Sequence, residues 1–323
     1  MQILITGGGG FIGQKLAKCL CDVGMINQQV ITGITLADIQ KPPLFQTDIP
    51  VKNVVADISV VAEMDTLFAD KPDIIYHLAA VVSGAAEADL DLGMRVNLGG
   101  TINILEAGRE QGTTLGRAPM VIYASSVAVH GGEAPETVID GTELNPQTSY
   151  GTQKAMGELL LQDYSRKGLV DGRGLRLPTV TIRPGKPNAA ASSFMSSIFR
   201  DTMQGDTTNC PVSRDFTVWH TSPRTIVENL IHATTIPAED FGFNRNINLP
   251  GRTDTIGEMI DVMTAVAGPE AENLITWEPD CIIENIVMGW RGHFAPDKGL
   301  ALGFTADTSF EDSVRYFLAN DIV

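Results

Sequence analysis

Near its start the chain reads Gln2-Ile3-Leu4-Ile5-Thr6-Gly7-Gly8-Gly9-Gly10-Phe11-Ile12-Gly13. The apolar run through Ile5 predicts a short buried strand, and the spacing of apolar residues from Phe11 to Leu20 predicts a helix. Between them Gly7, Gly10 and Gly13 stand three apart, while Gly8, Gly10 and Gly13 also satisfy G-x-G-x-x-G. A strand, a glycine turn and a helix in this order let the backbone approach a pyrophosphate closely. The phosphates then meet free N–H groups at the helix N-terminus. The competing reading of the same glycines is a hairpin.

The next apolar run, Val30 to Ile39, ends in Leu36-Ala37-Asp38-Ile39. A carboxylate at the tip of a second strand accepts ribose hydroxyls and repels a 2′-phosphate. Lys41 is the only nearby cation, so Asp38 points to NAD rather than NADP. Asp38 is alternatively an ordinary strand-end turn residue.

Outward from this unit, strands are predicted at 2–6, 30–38, 51–56, 73–78, 118–125 and 174–183, and helices at 11–24, 59–70, 89–111 and 149–167. Such alternation implies right-handed β-α-β units and a Rossmann-type, doubly wound parallel α/β sheet. The aperiodic stretch 131–147 reads as a surface loop. Beyond Arg183-Pro184-Gly185-Lys186-Pro187 the elements become shorter and mixed. Helices are predicted there at 190–204, 223–235, 255–267 and 309–319, with strands near 215–219, 245–249 and 273–277. This divides the chain into a dinucleotide-binding domain over 1–185 and a mainly substrate-binding α+β lobe over 186–323.

The chemistry concentrates in Ser149-Tyr150-Gly151-Thr152-Gln153-Lys154, some two dozen residues after Tyr123-Ala124-Ser125-Ser126. A Tyr and a Lys four apart share one helix face. A neighbouring ammonium favours the phenolate, so Tyr150 reads as a general base, with Lys154 lowering its pKa and bonding the nicotinamide ribose. Ser126 would hold the reacting oxygen, its alternative being a strand-end cap, and Ser125 reads as a neighbour with backbone duties. His77 follows the apolar run Ile74-Ile75-Tyr76 and reads as a satisfied structural residue.

The 323 residues are 43% hydrophobic and 19% charged, the composition of a globular protein. A net charge of −16 argues against nucleic-acid and anionic-membrane partners. Cys19, Cys21, Cys210 and Cys281 form no C-x-x-C pair, and the five histidines lack metal-ligand spacing. No metal, a reducing compartment and a cytoplasmic location are therefore expected. No apolar run approaches bilayer-spanning length.

In combination, Thr6-Gly7-x-x-Gly10-x-x-Gly13, Ala56-Asp57-Ile58, His77-Leu78-Ala79-Ala80, Asn97, Ser126, Tyr150 and Lys154 resemble the extended short-chain dehydrogenase/reductases. The resemblance implies NAD contacts from Gly7, Gly10, Phe11, Ile12, Gly13, Asp38, Asp57, Ile58, Leu78, Ala79, Ala80, Asn97, Ser125, Tyr150, Lys154 and Arg183. It also implies a homodimer through the helices at 89–107 and 149–167. Ala80-Val81-Val82-Ser83-Gly84 and Arg183 through Phe194 resemble, more narrowly, members of that family that oxidise C2 of four-carbon sugar acids. A sugar-acid substrate needs a cationic clamp, and the candidates are Arg183, Lys186 and Arg224. Arg183 alternatively pairs structurally behind the nicotinamide. Ser83, Asn188, Ser192 and Ser193 are candidates for substrate hydroxyls, although each alone is more often a cap or turn residue. Trp219 and His220 either wall the pocket or fill the lobe core. Ser126 is followed by Val127-Ala128 rather than an Asp-Glu pair, which argues against sugar dehydration. The remaining alternatives are a nucleotide-sugar epimerase and a non-catalytic NAD-binding sensor.

Overall fold

The computed structural model describes residues 1–322; Val323, the last residue assigned to the second lobe, lies outside them. The strands that build and flank the site are β1 (Gln2–Thr6), β2 (Gly33–Asp38), β3 (Val51–Val55), β4 (Ile74–His77), β5 (Met120–Ser126), β6 (Thr137–Ile139), β7 (Asp171–Leu177), β8 (Thr179–Val180), β9 (Thr217–Thr221), β10 (Asn246–Asn248), β11 (Arg252–Thr255) and β12 (His293–Ala295). The α-helices longer than five residues are α1 (Phe11–Val23), α2 (Ser83–Ala88), α3 (Gly100–Leu115), α4 (Ser149–Arg166), α5 (Phe194–Met203), α6 (Pro223–His232), α7 (Ile256–Ala267), α8 (Cys281–Val287) and α9 (Phe310–Asn320).

Seven parallel strands form the main sheet in the order β10-β7-β5-β4-β1-β2-β3. Side chains alternate across each strand, and β1 shows the result. Ile3 and Ile5 join Leu16 and Leu20 of α1 in one core cluster. Leu4 joins Ile75 and Val121 in another. The sheet is thus buried on both faces, as a parallel sheet requires. The strand order reverses between β1 and β4, which opens a crevice beyond their C-terminal ends.

Three expectations need correction. The stretch 174–183 is not one strand, because Pro178 cannot donate to a ladder. The backbone instead leaves the main sheet after Leu177, and Thr179–Val180 enters a small sheet ordered β8-β9-β11. The stretch 245–249 does not belong to the second lobe: Asn246–Asn248 is the edge strand of the main sheet, with Asn248 in register with Arg176. α6, which precedes this strand in the chain, also packs with the main sheet, placing Ile226 and Leu230 in the same core cluster as Leu16 and Leu20. The loop 131–147 contains β6, which pairs with β12 from far along the chain. Around the small sheet, Ile198 and Phe199 of α5, Met259 of α7 and Phe317 of α9 form a separate core. Among the described residues no helix is long and apolar enough to cross a membrane.

Candidate active site

A cavity of about 650 Å³ lies beyond the C-terminal ends of the main-sheet strands. Its nucleotide end is built by backbone. Gly7 holds φ +71°, and a Cβ there would sit 2.8 Å from the Ala79 amide nitrogen, so the loop after β1 and the loop after β4 touch only because Gly7 lacks a side chain. A Cβ on Gly13 would collide with the Gly7 carbonyl. The N-cap of α1 is Gly10, with no side-chain capping bond, so the first N–H groups of the helix remain free for an anion. The Asp38 carboxylate accepts the Gly9 N–H at 3.0 Å and lines the cavity. Phe11, Ile12, Asp57, Ile58, Leu78, Ala79 and Ala80 complete this end. These residues fit a dinucleotide, with a carboxylate in place of a cation at the second strand tip.

Asn97 is placed differently from expectation. It is 2% exposed and does not line the cavity. A π-helical turn over Met94–Gly99 aims it at Val81, whose N–H it accepts at 2.7 Å and to whose carbonyl it donates at 3.0 Å. It holds the wall rather than the cavity.

At the other end Ser126, Tyr150 and Lys154 face the same space. Thr148 caps α4 by accepting the Gly151 N–H at 3.1 Å, so Tyr150 sits in the first helical turn. Lys154 is buried one turn on, donates to the Ala124 carbonyl at 2.7 Å and lies 5.7 Å from the Tyr150 ring centroid. Burial drives its ammonium down to about 7, against the pull of Glu158 one turn further along. Burial pushes the Tyr150 phenol up to about 12, opposed by the Arg183 charge and the Ser126 hydroxyl. Arg183 thus acts on Tyr150 as a cation in the free protein. His77 is pushed down to about 3 by burial and by Lys154, and is neutral. Thr101 spends its hydroxyl hydrogen on the Asn97 carbonyl, 2.6 Å away. His77 Nε2–H therefore donates to Thr101 at 3.0 Å, and Nδ1 accepts from Thr6 at 2.8 Å.

The clamp candidates separate cleanly. Arg183 lines the cavity, its Nε donating to the Val180 carbonyl at 2.8 Å and its Nη2 to Ser192. Nη1 has no partner, and no carboxylate pairs with this guanidinium among the described residues. Burial lowers it to about 10. Lys186 is exposed and lines a smaller adjoining cavity with Gly10, Arg183 and Arg200. Arg224 does not face the cleft at all: it is exposed on α6, 3.9 Å from Glu228. Ser83, Asn188 and Ser192 line the cavity, yet each is engaged locally. Ser83 accepts the Ala191 N–H at 3.0 Å, and Asn188 accepts that of Ala190 at the same distance. Ser125 lines it too, but its hydroxyl turns inward. Trp219 lines the cavity and stacks on Phe294, whereas His220 points away to Asp254 at 2.8 Å.

Sequence reasoning missed Arg95, Trp290, Arg291 and Phe294, which also line the cavity. Arg291 clasps the 131–136 loop, donating to the Ala134 carbonyl at 2.8 Å. The pairing of β12 with β6 helps to bring this segment over the site, and three-residue strands leave no periodic signal. Among the described residues no group of three or more His, Cys, Asp and Glu side chains could hold a metal ion.

Fold and cleft together define a dinucleotide-dependent enzyme of the α/β class, and residues 3–225 match the NAD dependent epimerase/dehydratase family, to which the chain belongs. It is 46% identical to a D-erythronate dehydrogenase of Cupriavidus necator over 322 residues, covering 98% of each chain. It is 43% identical to a D-erythronate dehydrogenase of Haemophilus influenzae over 100% of both. Among solved structures it superposes on a nucleoside-diphosphate-sugar epimerase from Agrobacterium tumefaciens with a TM-score of 0.94 at 42% identity, covering 99% of this chain and 94% of that one. An L-threonine dehydrogenase from Cupriavidus necator in its holo form shares the fold, with a TM-score of 0.84 at 22% identity over 99% of both chains.

Proposed function

We propose that this chain is an NAD-dependent dehydrogenase that oxidises the C2 hydroxyl of D-erythronate to give 2-oxo-tetronate. The observation that carries the reading is the likeness to two D-erythronate dehydrogenases along the whole chain. Bound NAD supplies the hydride acceptor and a positive ring. Tyr150 Oη takes the proton of the C2 hydroxyl as the C2 hydride departs, Ser126 orients that oxygen, and Lys154 supports the phenolate. In the free protein Tyr150 is protonated at neutral pH, so it becomes a base only when further positive charge joins Arg183. The test is a panel of C4–C6 aldonic acids with NAD, following absorbance of the reduced nicotinamide. No oxidation of erythronate above that of the longer acids would overturn the assignment.

Arg183 is the proposed clamp, because it is the half-buried cation beside Tyr150 with an uncommitted nitrogen. Arg183→Ala is expected to raise KM for the acid by about tenfold or more, as loss of a charge-assisted bond does. Lys186→Ala and Arg224→Ala should leave KM near that of the parent, and a neutral amide of the acid should be a poor substrate. Equal KM values for Arg183→Ala and the parent protein would move the clamp elsewhere.

Asp38 is proposed to set cofactor choice. Asp38→Ala should weaken NAD binding and narrow the gap to NADP, read by titrating each cofactor. Faster turnover of the parent protein with NADP would refute this role.

The same reading assigns cofactor binding to residues 1–185 together with the returning segment 223–248, and substrate binding mainly to the rest of the chain beyond 185. It includes a cytoplasmic homodimer joined through α3 and α4, where Ile102 and Leu159 are exposed, 38% and 60%. The Agrobacterium structure favours a second reading, a nucleotide-sugar epimerase. An epimerase regenerates its cofactor within each cycle, so NAD that survives dialysis and no net reduction with any acid would select it.

A further inference from the structure

Directly behind the proposed catalytic residues, Glu158 is completely buried. It stands one helical turn beyond Lys154, as Lys154 stands one turn beyond Tyr150. The helix and the tip of β5 are pinned together twice. Lys154 Nζ donates to the Ala124 carbonyl at 2.7 Å, and the next residue on the strand, Ser125, donates its hydroxyl to Glu158 Oε1 at 2.5 Å. Ser126 follows immediately. A shift of β5 along α4 would therefore break both bonds and move Ser126 away from Tyr150. The remaining carboxylate capacity is filled from β7, where Arg176 Nε and Nη2 donate at 2.9 and 2.8 Å.

We propose that Glu158 is a positioning residue, locking the strand tip that carries Ser126 onto the helix that carries Tyr150 and Lys154 and balancing the buried Lys154 ammonium. The inference rests on the roles proposed above for those three residues.

Among the described residues around Lys154, Glu158 is the group that balances this charge. From β4, Lys154 meets neutral His77, which is pushed down to about 3. From β5 it meets the Tyr123 ring at 4.9 Å, whose phenol burial keeps protonated. On its own helix it lies beside the Tyr150 ring and feels the charge of Glu158 one turn further along. Arg176 on β7 adds a second cation, and His130, beside Arg176, is held below its usual value by burial and by that cation. Without the Glu158 charge the Lys154 ammonium, already lowered to about 7, is lost at still lower pH.

The test compares Glu158→Gln, which keeps an oxygen for Ser125 but removes the charge, with Ser125→Ala, which removes the tether but keeps the charge. For Glu158→Gln the alkaline limb of kcat/KM, and of NAD affinity measured by calorimetry, should move down by about one pH unit or more. For Ser125→Ala, kcat should fall by about tenfold with both pH profiles unmoved. If Glu158→Gln folds poorly, Glu158→Gln/Arg176→Met removes both buried charges and should show a smaller shift in the same direction, because the Arg176 cation is lost with the carboxylate. A purely structural role would lower the yield of folded protein without moving either profile. The inference is overturned if the folded Glu158 variant keeps both pH profiles, or if Ser125→Ala keeps the parent kcat. Tyr150→Phe and Lys154→Ala, assayed alongside, separate the two levels: activity retained in both overturns the catalytic roles themselves.

Discussion

Tyr150→Phe is expected to lower kcat by about a thousandfold while NAD affinity stays near that of the parent protein, the range in which a positioned general base contributes. The ring remains, so its place in the first turn of α4 and its contact with Lys154 are kept. What disappears is the ionisable oxygen proposed to take the substrate proton, and Ser126 cannot replace it because an alkyl hydroxyl does not accept a proton at neutral pH. Steady-state turnover combined with NAD titration tests this. Residual activity above about a tenth corresponds to less than about 1.4 kcal/mol of barrier, too little for an essential base.

The largest expected loss of stability comes from Arg176→Met. Arg176 is 6% exposed and is held by Glu158, which is completely buried. Its Nη1 also reaches Asn248 at 3.3 Å. Truncating it strands a carboxylate away from water, and removing one partner of a buried pair costs about 3–5 kcal/mol. Denaturant unfolding should show this decrease. Glu158→Gln/Arg176→Met should recover most of it, since a neutral pair of similar volume leaves nothing charged behind. A single variant within about 1 kcal/mol of the parent would mean that Glu158 finds water or another donor when Arg176 is gone.

What was legible in the sequence is what local backbone chemistry dictates. Gly7 and Gly13 are readable because a positive φ and a Cβ collision exclude other residues there. Tyr150 and Lys154 are readable because helical spacing alone sets them on one face. Asn97 was legible as a site residue but not in its placement, since a π-helical turn re-aims it at Val81. Arg224 misled because nothing in its neighbourhood tells which side of the sheet α6 will cover. Phe294 and Arg291 were invisible, as their place in the cavity depends on two three-residue strands more than 150 positions apart. Long-range pairing is a property of the whole chain, and short segments carry no trace of their partners.

The late arrival of β10 has a consequence for synthesis. The main sheet ends on β7 until Asn246–Asn248 docks beside it. A nascent chain that has emerged only through the end of α4 and β7 therefore exposes the open edge of a parallel sheet, with its N–H and C=O groups available to any passing strand. The same residues that close this edge bring Asn248 to Arg176, so the buried charges behind α4 wait for the same event. Fragments ending before residue 246 should consequently aggregate during expression, and maturation of the cleft should be paced by sheet closure rather than by the nucleotide loop, although that loop leaves the ribosome first.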